Sequence, residues 1–124
     1  WMVLSTAVST GNIWLYANNA SASYNISQVT TQAMPAQTWA HIAVVRNNDG
    51  DVKIYFNGTQ IGTTDTSNAD YGGKSQWQTE VGIFGDEVSG SGGDYRHTGY
   101  FSDFRFSDTA RYTGNFTAPT AELL

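Results

Sequence analysis

No stretch as long as about 11 residues, the shortest window in which a helical apolar period can be read, keeps such a period anywhere in this chain. Short runs of alternating apolar and polar residues take its place, each broken by Gly, Asn, Asp or Ser. Alternation with a period of two belongs to a strand with one buried face. Turn residues recurring every ~8–12 residues are what a sandwich of short antiparallel strands requires. The runs cover 1–8, 13–17, 21–29, 38–46, 51–57, 59–64, 80–85 and 96–108. The clearest part is a double hairpin. In it Ile42 and Val44 face away from Ala43 and Val45, and Val52, Ile54 and Phe56 face away from Lys53 and Tyr55. Asp49-Gly50 and Asn57-Gly58 supply the positive φ that tight hairpins need. Pro35 forces its neighbour extended and makes 34–37 a loop. In the last run Phe104 and Phe106 share a face, Phe101 joins them through a bulge, and 109–116 includes one helical turn. The expected fold is an all-β jelly-roll sandwich of two antiparallel sheets, as a single domain over 1–124.

The surface of this fold must be solvated mainly by hydrogen bonds, because charged residues make up only 14% of the chain, against about a quarter in an average soluble domain. The net charge is −5, and the six basic residues (Arg46, Lys53, Lys74, Arg96, Arg105 and Arg111) are scattered. Nucleic-acid binding relies on clustered positive charge, so no nucleic-acid partner is expected. No apolar run approaches the ~20 residues of a membrane helix, and no membrane insertion is expected. The chain has no cysteine, which excludes a disulfide framework, a thiolate metal site and a Cys nucleophile. It begins at Trp1 rather than Met, as a processed chain or a piece of a longer one would.

Two motifs carry a resemblance. The first is "TWAHIAVVRNNDGDVKIYFNGTQIGT", with Trp39, His41, Ala43, Tyr55, Asn57 and Gly58. The second is "EVGIFG…TGYFSDFRFSDTARYTGNFTAPT", with Gly99, Tyr100, Asp103, Arg105, Ala110, Arg111, Tyr112, Phe116 and Pro119. Together they resemble the laminin-G/jelly-roll type of the concanavalin A-like lectin/glucanase superfamily, over roughly residues 1 to 120. The resemblance implies that His41, Trp39 and Tyr112 are structural. The Ala-Arg-Tyr…Phe…Pro ending is similar to modules of bacteriophage tail, fibre and other virion proteins, and of bacterial surface proteins. Members usually carry one or two strands before the segment matching 1–8. Their absence here implies a domain lacking its N-terminal strands, inside a longer chain.

Reactive constellations are missing from the sequence. Glycosidases on this kind of sandwich carry a Glu-x-Asp-x-(x)-Glu strand that holds two carboxylates ~5–9 Å apart. The three glutamates here, Glu80, Glu87 and Glu122, have no such neighbours, and Asp86 and Glu87 would point to opposite faces of a strand. There is no Gly-x-Ser-x-Gly elbow. The two histidines, His41 and His97, lack the spacing of a zinc pair. No enzyme activity is expected. Calcium is the one cofactor with candidate ligands: Asp86, Asp94 and Asp103 converge if the 86–94 loop folds over the sheet edge. The competing reading makes Asp86 and Asp94 turn formers and pairs Asp103 with Arg105 or Arg111. Tyr71, Trp77 and Tyr95, with Asp94 beside them, form a candidate sugar site, because aromatic faces stack on the C–H faces of sugars while polar groups take the hydroxyls. The competing reading places these rings in the core, where Trp14 is expected.

The function expected from this is a non-catalytic recognition or adhesion module, binding carbohydrate, displayed on a virion (phage tail, fibre or capsid decoration) or on a cell surface. Its partner would be a cell-surface glycan, bound weakly per site and strengthened by many copies in a multimeric assembly. The alternative is a structural domain that contacts only neighbouring virion subunits.

Overall fold

The computed structural model describes residues 2–6, 10–18, 24–66 and 99–121. Six strands lie in them: β1 (Met2–Thr6), β2 (Asn12–Asn18), β3 (Tyr24–Ala33), β4 (Ile42–Arg46), β5 (Val52–Phe56) and β6 (Thr59–Asp65). They form two three-stranded antiparallel sheets, ordered β1-β2-β3 and β4-β5-β6. No helix occurs among the described residues, so none there is long and apolar enough to cross a membrane. The all-β architecture of two antiparallel sheets is the one expected.

The inner faces of the sheets meet in one core. Ile13 and Leu15 on β2 pack with Val52 and Ile54 on β5, and Met34, Ile42, Val44, Phe56 and Ile61 surround them. Each of the two central pairs is spaced by two, so the period-two pattern directly selects the buried face.

Two irregularities shape the sheets. Opposite Ile13, β3 carries extra residues between its pairings Asn12↔Ala33 and Trp14↔Val29. A bulge leaves backbone groups without ladder partners. Thr30, buried, supplies them: its hydroxyl donates to the Ile13 carbonyl (3.0 Å) and accepts from the Gln32 N–H (3.2 Å). In β6, the shift between Val52↔Asp65 and Ile54↔Ile61 contains Gly62, at φ 66°. An isolated Gly inside a strand pattern is the sequence mark of such a bulge.

The turns follow their chemistry. Phe56 pairs with Thr59, so Asn57-Gly58 is a two-residue turn with both φ values positive, 49° and 83°, as a type I′ hairpin requires. The β4–β5 connection is longer. Gly50 takes φ 92°, and the Asn47 side chain ties the loop by accepting from the Asp51 N–H (2.8 Å) and donating to the Asp51 carboxylate (3.3 Å).

Two expected elements are absent. Residues 99–108 form no strand. Asp103 sits at φ 55°, a left-handed conformation that interrupts an extended run. The chain 109–116 makes no helical turn. Its polar groups bond to the β5–β6 hairpin instead, with the Phe116 N–H donating to the Gly58 carbonyl (2.9 Å) and Asn115 Oδ1 accepting from the Gln60 N–H (2.9 Å). Strand 80–85 of the sequence reading lies outside the described residues.

Candidate functional site

The residues of the two motifs meet at the outer face of the β4–β5–β6 sheet. Alternation places Tyr55 on the side opposite Val52 and Ile54, yet all three are buried. The cover over Tyr55 is the segment 109–118, which crosses the hairpin turn as a strap. Its side chains at Ala110, Tyr112, Phe116 and Ala118 are partly buried, and bends at 113–114 bring Tyr112 and Phe116 together. Their rings stack face to face, with centroids 3.5 Å apart and planes within 5°.

Tyr55 and His41 flank this stack. Tyr55 lies 5.4 Å from Phe116 and 6.4 Å from Tyr112, and His41 lies 5.6 Å and 6.3 Å from the same two rings. A ring seated over one end of a stack would be far from the other member. The similar distances therefore place both residues beside the stack, at its ring edges. His41 is also pinned through its backbone: its N–H donates to Asn57 Oδ1 (2.8 Å), and its carbonyl accepts from the Asn57 N–H (2.8 Å). The structural role implied for His41 and Tyr112 is what the structure displays.

Gly58 has two reasons to be glycine. Its φ of 83° is in the left-handed region. A Cβ there would also fall onto the Phe116 carbonyl, and would sit 2.9 Å from that carbonyl's carbon and 3.2 Å from the Ala118 nitrogen. Such a close backbone crossing is open only to glycine.

Burial leaves two polar atoms in this cluster without a hydrogen-bond partner, the Tyr55 hydroxyl and His41 Nδ1. Desolvation pushes the His41 imidazole below its ordinary value of 6.5 and pushes the Tyr55 phenol above 10.0. Both shifts favour the neutral ring. The cluster is therefore a neutral clamp, with no carboxylate pair or nucleophile in it.

Outside the clamp, the described surface carries large exposed rings. Tyr100 is 87% exposed, Trp39 67%, Phe106 63%, Phe104 60% and Phe101 53%. Phe104 and Phe106 touch edge to face, with centroids 5.7 Å apart; they share a side as expected but do not enter the core. Trp39 also departs from its implied structural role. It follows a turn in which Gln37 takes φ 56°, and β4 begins only at Ile42, so Trp39 stands outside the ladder.

Of the residues singled out from sequence, Tyr71, Trp77, Tyr95, Asp86 and Asp94 lie outside the described residues, as does His97. Asp103 is at the surface and accepts a hydrogen bond from the neighbouring Ser102 hydroxyl (3.1 Å). Among the described residues no group of three His, Asp or Glu side chains is placed to hold a metal. Trp39 is not a site candidate in the sequence because its motif position implies packing, and Tyr100 is there only a motif residue; the loop at 34–37 is signalled by Pro35, whereas the break at Asp103 has no local signal.

A laminin-G family model, described as the concanavalin A-like lectin/glucanases superfamily, matches residues 2–113. No curated protein and no solved structure matches the chain significantly.

Proposed function

The chain belongs to the laminin-G family within the concanavalin A-like lectin/glucanases superfamily, and from that premise we propose that it is a non-catalytic recognition module that binds carbohydrate on a virion or cell surface. One observation carries this reading. Trp39 and Tyr100 present rings to solvent and have exposed polar residues close by in sequence: Gln37 and Thr38 before the first, Ser102 and Asp103 after the second. Sugars take such a pairing of aromatic face and hydrogen-bonding rim. Trp77, Tyr95, Tyr71 and Asp94 remain candidate sugar contacts by composition alone. The superfamily also contains glucanases, but the paired-carboxylate strand that hydrolysis needs is missing from this sequence.

Glycan-array binding by the full chain tests the reading. Binding should fall at least tenfold, a loss of about 1.4 kcal/mol, in Trp39→Ala or Tyr100→Ala, and in Trp77→Ala or Tyr95→Ala if those rings belong to the site. Undiminished binding in all four variants would sink the site; an array with no signal would sink the carbohydrate reading.

The second reading, a structural domain that packs against neighbouring protein subunits, is favoured by Phe104 and Phe106. A phenylalanine has no polar handle for a sugar, and contiguous exposed apolar rings commonly mark protein contacts. A map of an assembled particle with these two rings buried against another subunit would decide for it.

A further inference from the structure

The clamp that holds the strap contains one imidazole, and its surroundings oppose the charged form of that ring. His41 stands at the edges of the Tyr112 and Phe116 rings. Aromatic rings carry partial positive charge at their edges and negative charge on their faces, so an imidazolium there is repelled where a neutral imidazole is not. The buried Nδ1 has no hydrogen-bond partner. In the neutral ring one nitrogen can lack its hydrogen; in the charged ring both nitrogens are donors. Protonation therefore buries an N–H with no acceptor. The titratable group set against His41 is the phenol of Tyr112 on the strap; the phenol of Tyr55 on β5 packs on the same ring stack, and the exposed Arg111 is next along the strap. Among the described residues no hydrogen bond or ion pair joins the imidazole to a carboxylate that would compensate its charge.

The strap is the part able to respond. Among the described residues, its backbone tie to the hairpin is the Phe116–Gly58 bond, with the Asn115–Gln60 bond beside it. The sheet beneath is held by the β4–β5 and β5–β6 ladders and does not depend on it.

We propose that segment 109–118 is an acid-released cover: protonation of His41 loosens the Tyr112–Phe116 stack from the hairpin and uncovers the buried Tyr55 face of the second sheet. The sign follows from linkage. The closed form favours neutral His41, so the open form binds more protons, and closing becomes more favourable as pH rises. The closed strap is fully stable above the ordinary imidazole value of 6.5 and loses stability progressively as pH falls below it.

Amide hydrogen exchange on the full chain between pH 7.5 and 5, corrected for intrinsic rates, tests the proposal. The Phe116 and Gln60 amides should lose protection at least threefold through this range, while the Ile54 amide of the sheet keeps its own. In His41→Phe, which fills the space without titrating, the strap amides should keep constant protection. Constant protection in the unaltered chain would overturn the proposal, as would an acid loss that persists in His41→Phe or spreads equally to Ile54. The His41 ring resonances of the unaltered chain provide a second measurement independent of any variant. They should titrate with the same midpoint as the Tyr112 and Phe116 ring shifts, and different midpoints would equally overturn it.

Discussion

Two single residues test the local accounts most sharply. Gly58→Ala introduces a side chain at a φ of 83°, against the Phe116 carbonyl. Left-handed strain alone costs about 1–3 kcal/mol, and the blocked strap adds to it. The urea midpoint should fall accordingly, and the Phe116 amide should exchange freely even at neutral pH. Thr30→Val conserves shape but removes the hydroxyl that serves both Ile13 and Gln32. Leaving the buried Ile13 carbonyl and the half-buried Gln32 N–H unpaired should cost about 1–3 kcal/mol, read by the same titration; a change within 0.5 kcal/mol would show that water replaces the hydroxyl. Gly58 was legible in the sequence as a turn residue, since Asn-Gly between two alternating runs has one common reading. Its second duty under Phe116 was not, because residues 58 and 116 are neighbours only after the fold closes. Thr30 carried no signal at all: a threonine in a strand reads the same whether it faces water or repairs a bulge.

Among elements, β5 and the strap show where period-two reasoning succeeds and where it stops. The pattern assigned Val52 and Ile54 to one face and Tyr55 to the other, as found. It gives no sign that Tyr55 is buried, because alternation reports the face of a sheet and not what later covers it. The strap itself has too few regular contacts to show a period, so it read as a possible helical turn. Its binding rests on ring packing, and a double-mutant cycle over Tyr112→Ala and Phe116→Ala should return a coupling of about 0.5–1.5 kcal/mol. Additive losses would mean that the stack contributes only area. The segment 99–108 shows the opposite failure. Its Phe-rich alternation reads as a core strand, and the left-handed Asp103 with the exposed Phe104 and Phe106 makes it a surface segment.

At the scale of the whole molecule, the low charge and the exposed rings act together. The chain carries a net charge of −5 and has a sequence pI near 4.6. Like net charge on different copies opposes contact between their apolar rings, and that opposition vanishes near the pI. Light scattering should rise as the pH approaches about 4.6, and Phe104→Ser with Phe106→Ser should reduce it; equal scattering in the double variant would show that these rings take no part. The sandwich and its family were legible from turn spacing and two motifs, whereas a ligand class was legible only as composition, since a sugar platform and a protein contact are both built from aromatic rings. The strap adds a consequence in time. Gln60 and Asn115 are 55 residues apart, and a ribosome adds roughly 5–20 residues per second. The nascent β4–β6 hairpin thus emerges seconds before its lid is synthesised. Through that interval Tyr55 is bare, and a chaperone or a sister chain on the same polysome has its best chance to seize it.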